Sequence, residues 1–256
     1  MSLHIATDLD GTISFAGKRP DATILDALSA FSRREGTAVT IATARSPRVV
    51  GEWFGVLGRD LGQVCCNGAI VATERGTVAR QGIDPVLVHM LVMWLRDRGE
   101  GFCLEYGDRF AASDANALPW MGMDSRITLG ETSPMLEDVV KICVATGAIW
   151  AETLALLAGD AAEVYPHATG DADIVAGGVN KAAGVRRLHT AGHRLVALGN
   201  DRNDLELLLT ADAAIVVGDQ LPELDACSHV RRVPANPITV VRALQEATEL
   251  SERIAV

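Results

Sequence analysis

Strand-like and helix-like segments alternate at both ends of this chain, and the alternation breaks in the middle. Leu3 to Thr7 is a short apolar run of β type. Asp21 to Arg34 carries Ile24, Leu25, Leu28 and Phe31 at helical spacing, Ala38 to Ala42 reads as a second strand, and Val64 to Val71 contains a third. Near the other end, Asn180 to Leu188 reads as a helix, Leu195 to Leu198 as a strand, Asp204 to Leu209 as a short helix and Ala213 to Val217 as a strand. Pro237 then opens a terminal helix that runs to about Leu250. Alternation of this kind implies a parallel sheet covered by helices on both faces.

The middle follows another rule. Asp84-Pro85 is a helix start with an acid at the cap and proline in the first turn, Leu87, Met90, Leu91, Trp94 and Leu95 follow on one face, and Gly99 ends the run. Phe102 to Tyr106 and Arg109 to Ala112 are strand candidates on either side of Gly107-Asp108, a hairpin signal. Val139 to Val144 is another strand, Ala151 to Leu157 a helix and Ala162 to Tyr165 a strand. Hairpins replace crossovers here, so the stretch reads as a small α+β domain inserted into the parallel-sheet domain. The expected boundaries are 1–81 and 177–256 for the core and 82–176 for the insertion.

Composition narrows the class. The 256 residues suffice for a real core, and with 48% apolar and only 4% aromatic residues that core is mostly Ala, Val, Leu and Ile. A formal charge of −10 argues against a nucleic-acid partner, and any site for an anion must be positive locally. No apolar run reaches the length of a membrane span, nothing resembles a signal peptide, and the expected compartment is the cytoplasm. Cysteines are odd in number, five, with Cys65 and Cys66 adjacent in an apolar run; they read as small buried hydrophobes rather than a disulfide framework.

Four segments carry the chemistry. Asp8-Leu9-Asp10-Gly11-Thr12 closes the first strand. Two acids one residue apart on a strand point to opposite faces, and the glycine lets both approach one centre. Clustered carboxylates call for a hard divalent cation, which suggests half of a magnesium site carrying a nucleophilic aspartate. The alternative is a strand followed by an ordinary Asp-Gly turn. Ile41-Ala42-Thr43-Ala44-Arg45 is a second strand end, Gly178-Val179-Asn180-Lys181 puts a lysine at a helix start, and Leu198-Gly199-Asn200-Asp201-Arg202-Asn203-Asp204 is a third strand end rich in oxygen ligands. Taken singly, Thr43 could cap a helix, Lys181 could be solvated, and the last segment could be a polar loop capped by Asn203. Taken together, they gather at the carboxyl ends of parallel strands, where open sheets bind ligands.

In this order the segments resemble the four motifs of the haloacid-dehalogenase-like (HAD) hydrolase superfamily, and the resemblance runs the whole length of the chain. Only 35 positions separate Asp8 from Thr43, which leaves no room for a cap there, whereas the 138 from Thr43 to Lys181 hold the insertion. Asn67-Gly68-Ala69 looks like the segment that precedes the cap in type IIB members, the Cof-like and sugar-phosphatase branch. The resemblance implies a Rossmann-like doubly wound parallel sheet core with an inserted α+β cap domain of C2 type. It implies a Mg²⁺-dependent phosphatase for a small phosphorylated metabolite, a sugar phosphate above all. Asp8 would be the nucleophile, Asp10 the general acid and base, and Thr43 and Lys181 the other catalytic groups. Leu9, Thr43, Arg45, Asn67, Lys181 and Asn203 would meet the phosphate. Asp8, Asp10, Asn200 and Asp204 would hold the metal, with Asp201 behind them. In most relatives an aspartate follows the glycine of the fourth motif; Asn200 is a departure, and its neutral amide adds no charge to the metal set. A phosphomutase of the same superfamily and a non-catalytic phosphometabolite sensor are the alternatives. Beyond the phosphorylated substrate no partner is implied, neither nucleic acid nor membrane, and the oligomeric state is unreadable.

Because the insertion begins and ends near the carboxyl edge of the sheet and its connections carry Gly76, Gly82, Gly170, Gly177 and Gly178, the segment from about Gly82 to about Ala176 is expected to move as a lid, and Glu105, Arg109, Asp114, Asn116 and His167, which flank its predicted strand ends, are its polar groups expected to reach the substrate. His189 and His193 have the spacing of a metal pair, but Gly192 interrupts them and they read as surface residues. Trp120, Met121 and Met123 either face the substrate or fill the insertion's own core.

Overall fold

In the computed structural model the described residues are 2–114, 116–121, 125–128 and 136–253. The strands, in chain order, are β1 (Leu3–Thr7), β2 (Thr37–Ala42), β3 (Gly62–Cys65), β4 (Ile70–Thr73), β5 (Gly76–Arg80), β6 (Phe102–Glu105), β7 (Phe110–Ala112), β8 (Arg126–Thr128), β9 (Lys141–Val144), β10 (Ala162–Pro166), β11 (Ala172–Ala176), β12 (Arg194–Gly199), β13 (Ala213–Val217) and β14 (Val230–Val233). The helices are α1 (Ala22–Ser32), α2 (Pro47–Phe54), α3 (Val56–Asp60), α4 (Pro85–Asp97), α5 (Gly147–Ala158), α6 (Lys181–Leu188), α7 (Leu205–Thr210) and α8 (Pro237–Arg253).

The chain divides into two compact units. The first comprises Met1–Arg45, Val49–Val78 and Asn180–Val256; the second comprises Ala79–Val179 together with Ser46–Arg48, a segment that the sequence reading assigns to the first. Each unit has its own sheet. The first has eight strands in the order β14-β13-β12-β1-β2-β3-β4-β5. From β14 to β3 every neighbour is parallel. β1 lies in the middle and is buried along its whole length, which is why it reads as a continuous apolar run. Two helix pairs, α1 with α8 and α6 with α7, pack on the middle strands, as in a doubly wound sheet. The edge departs from the all-parallel expectation: β4 returns antiparallel to β3 after a turn in which Cys66, Asn67 and Gly68 all have positive φ. A strand that reverses so tightly can only pair antiparallel.

The second unit has six strands in the order β10-β11-β9-β6-β7-β8, antiparallel except for β7 with β8. Asp84 caps α4 by accepting from the N–H groups of Val86 and Leu87, as the Asp-Pro signal requires. Met121 packs against a buried cluster of Cys103, Phe110, Ala112, Ala117, Leu118 and Cys143, which places it in the unit's own core. Met123 and the side chain of Trp120 lie outside the described residues.

Candidate active site

Beyond β1 the chain folds tightly around one carbonyl. The Leu9 oxygen accepts from the N–H groups of Ile13 and Ser14, and the N–H of Gly11 donates to Ser14. Gly11 has φ +80°, and a Cβ there would lie 2.3 Å from the outward atom of the Asn200 amide. The position must therefore be glycine both for its conformation and for that close approach. The Leu9 side chain is fully buried, so only its main chain can meet a ligand.

Asp8, at the strand end, is buried, and its N–H donates to the Leu198 carbonyl of β12. Lys181 Nζ donates to Asp8 Oδ1 at 2.7 Å and to Asp204 Oδ1 at 2.7 Å. Thr12 Oγ1 lies 3.0 Å from Asp8 Oδ2. The lysine is 1% exposed, so it is no solvated helix residue. It is delivered by a capped turn: Asn180 accepts from the N–H of Ala183 and opens α6. A Cβ at Gly68 would lie 2.2 Å from the Asn180 carbonyl oxygen, so the turn after β3 packs directly on that cap. One ammonium serves two buried carboxylates. Burial and the neighbouring Asp204 raise the Asp8 carboxyl, Lys181 offsets only part of this, and the group is pushed up to about 7. Burial alone would lower Lys181; Asp204 and Asp8 overcome it and hold the amine above its ordinary value.

The fourth segment wraps around Asp204. Its Oδ2 accepts from the N–H groups of Asn200 and Asp201 at 2.9 and 3.1 Å, while Oδ1 takes Lys181. The sequence reading makes Asp204 a metal ligand. Here its two oxygens accept from protein donors, so it fixes the loop and the lysine. Asp201, the weaker of the expected metal ligands, turns back to cap, accepting from the N–H of Arg202. Asn203 reaches the turn after β3, donating to Asn67 Oδ1 at 3.0 Å.

The Asn200 amide enters a corner lined by acceptors. Its inward atom lies 2.8 Å from the Asp10 carbonyl oxygen, 3.0 Å from Asp8 Oδ2 and 2.8 Å from Thr12 Oγ1. With its NH₂ turned inward, the amide's two hydrogens face all three as acceptors. With its oxygen inward, three oxygens crowd one corner, and a cation is what would hold them. Adjacent ligand oxygens around an octahedral magnesium at its usual bond length stand about 2.9 Å apart. The corner of Asp8, the Asp10 carbonyl and Asn200 therefore fits such an ion, with the amide rotated. Among the described residues no group of three or more His, Cys, Asp or Glu side chains is disposed to hold a metal, so a cation here would rest on this mixed set.

Thr43 follows β2 and is fully buried; its hydroxyl oxygen accepts from the N–H of Arg45 at 3.1 Å, leaving the O–H free to donate. The Arg45 guanidinium grips the Asp10 carboxylate with both arms, Nε to Oδ2 at 2.6 Å and Nη2 to Oδ1 at 2.8 Å, and lies over the Trp53 ring, 4.3 Å from its centre. The sequence reading expects Arg45 at phosphate, and Trp53 carries no signal in it. The paired histidines, His189 and His193, are both partly exposed. His189 stacks on His4, with 3.1 Å between their Nδ1 atoms, and His4 also bonds Thr40. Burial, then His189 and His193, lower the His4 imidazole to about 4.

A parallel sheet that gathers acids, a buried lysine and a buried threonine at its strand ends defines an α/β protein with a charged site at that edge. The chain belongs to the haloacid dehalogenase-like hydrolase family, whose model matches residues 5–236. Among solved structures it is similar to BT4131, described as a HAD subclass IIB sugar phosphatase, with 17% identity, a TM-score of 0.81 and coverage of 96% of this chain and 98% of the other. SMU.1108c from Streptococcus mutans UA159 is similar at 16% identity and TM-score 0.83, covering 97% and 100%. BT1666 from Bacteroides thetaiotaomicron, a phosphatase of the same superfamily, is similar at 17% and 0.78, covering 97% and 96%. At these identities the likeness establishes the fold. No curated protein sequence matches the chain.

Proposed function

We propose that this protein is a Mg²⁺-dependent phosphatase acting on a small phosphorylated metabolite, a sugar phosphate being the favoured class, through an aspartyl-phosphate on Asp8. The observation that carries the reading is the pair of 2.7 Å bonds from buried Lys181 to Asp8 and Asp204, beside a corner of oxygens that suits a cation. Asp8 attacks phosphorus, and its bond to the leaving oxygen breaks as Asp10 supplies that oxygen with a proton. Asp10 then takes a proton from the water that cleaves the intermediate. Lys181 and the Thr43 hydroxyl hold the phosphoryl oxygens, helped by main-chain N–H groups such as that of Leu9 and by Asn67. Asp8, the Asp10 carbonyl and Asn200 would hold the metal, which when bound would supply charge neutralisation at the phosphoryl oxygens.

The second unit is inferred to choose among esters, since the groups above are generic to any phosphomonoester. Five free cysteines, four of them buried, suit a reducing compartment, and we place the protein in the cytoplasm. No helix among the described residues is long and apolar enough to cross a membrane. Neither nucleic acid nor membrane enters the proposal as a partner. The test is a phosphatase screen over phosphorylated metabolites with and without Mg²⁺. Metal-dependent release of inorganic phosphate supports the reading. Isomerisation of a sugar phosphate in the presence of its bisphosphate would favour a mutase instead, and tight ester binding without turnover a sensor, the reading that neutral Asn200 favours.

A further inference from the structure

We infer that Trp53 and Arg45 form a positioning pair that aims the Asp10 carboxylate for proton transfer, so that Arg45 serves Asp10 rather than the phosphoryl group. The inference rests on the proposed role of Asp10 as the acid and base. Asp10 is the exposed member of the acid pair: its side chain is 42% exposed, whereas Asp8 is buried. A half-exposed carboxylate on a short stem samples several rotamers, and proton transfer to a particular ester oxygen requires one of them. Two N–H···O bonds from one planar guanidinium fix both the position and the plane of the carboxylate, which a single bond cannot do.

A guanidinium on a flexible stem is no better as an anchor than what holds it, and Arg45 is held at three points. Its N–H donates to Thr43 Oγ1, its carbonyl accepts from the N–H of Cys66, and its charged group lies on the Trp53 face. Tryptophan offers the most favourable ring face for a cation. Trp53 is itself fixed by α2, whose neighbouring residues Val50 and Phe54 are buried. The chain of support runs from a buried helix face to an indole, to a guanidinium, to the acid.

In the first half-reaction the proton leaves the Asp10 carboxyl for the ester oxygen as its bond to phosphorus breaks; in the second, the same carboxylate takes a proton from the attacking water. The first transfer matters in proportion to the basicity of the leaving group. The experiment compares kcat/KM for p-nitrophenyl phosphate and for phenyl phosphate, whose leaving group is far more basic, in the Mg²⁺-loaded protein and in Arg45→Gln, Arg45→Lys, Trp53→Leu and Trp53→Phe. The expected result is selective. Arg45→Gln lowers the phenyl to p-nitrophenyl ratio by roughly tenfold to a hundredfold, within what general acid catalysis supplies. Arg45→Lys, a point charge without the fork, gives a ratio close to that of Arg45→Gln. Trp53→Leu lowers the ratio by about threefold and Trp53→Phe restores most of it, as expected for a cation over a weaker ring. If Arg45→Gln instead raises KM and lowers kcat/KM equally for both esters, Arg45 holds the phosphoryl group and the inference is overturned. An unchanged ratio with unchanged kcat/KM overturns it equally. Neither result touches the assignment of Asp8, which is tested separately.

Discussion

Each unit buries an ion network on its own sheet, and the two are unbalanced in opposite directions. At the strand ends of the first unit, one ammonium, Lys181, lies between two carboxylates, Asp8 and Asp204. On the sheet of the second, one carboxylate, Asp173, accepts from Lys141 Nζ at 2.9 Å and lies 3.3 Å from His167 Nε2. Burial pushes both acids up. In the first network the neighbouring acid adds to that push and Asp8 rises; in the second, Lys141 and His167 overcome it and hold Asp173 well below the usual carboxylate range. An acid-rich corner invites a cation, whereas an acid already shared by two donors is closed. In the proposed reading the acid-rich network is the one that does chemistry, and the network around Asp173 is the one that holds structure.

The same substitution made in each network should therefore act in opposite senses. Asp8→Asn is expected to cost at least about a thousandfold in turnover, since an amide is no nucleophile, while the fold survives. In metal-free buffer the variant should melt higher than the parent at pH 8. A carboxyl whose folded value is raised contributes stability that is fully present below its unfolded value and lost as pH rises through about 7. Removing the group removes that loss. Asp173→Asn should instead destabilise by about 3 kcal/mol, because it strips one partner from a buried pair, and thermal denaturation should show the cost at pH 8 as well. Equal signs for the two variants at pH 8 would abolish the comparison.

Two smaller effects sharpen it. Asn200→Asp adds a charged oxygen to the acid-rich corner and is expected to tighten Mg²⁺ by about tenfold, read by calorimetry without any turnover. Weaker binding would remove Asn200 from the ligand set. At His4, where neutral imidazole is buried, the folded value is depressed, so its contribution is present above pH 6.5 and lost as pH falls toward 4. Going from pH 8 to pH 6, the parent should lose about 1 kcal/mol more stability than His4→Gln. A parallel fall in both would place the acid sensitivity elsewhere.

Much of the first unit could be read from sequence because its signals are local. Apolar runs closed by Asp8-Leu9-Asp10-Gly11 or by Gly199-Asn200 announce both the strand and what stands at its end. Lys181 was legible only in company, since a lone lysine says nothing of burial. What stayed hidden depends on register and distance. Lys141 meets Asp173 only because β9 pairs with β11, setting Cys143 opposite Asp173. His4 and His189 are 185 positions apart. Trp53 sits on α2, a helix that Gly51 obscures in the sequence. β14 is a charged edge, Val-Arg-Arg-Val, without the apolar alternation of a half-buried strand. Asp201 and Asn203 are both plausible caps by type, and only the bond from the N–H of Arg202 decides between them.

In the proposed mechanism the acid-rich corner makes Asp8 a phosphate acceptor. Acid-quenching the protein during turnover of p-nitrophenyl phosphate with Mg²⁺, followed by peptide mass spectrometry, tests this directly. An acyl phosphate is expected on Asp8 in the parent protein and none in Asp8→Asn. Phosphate on another residue, or steady turnover with Asp8 never modified, would contradict it.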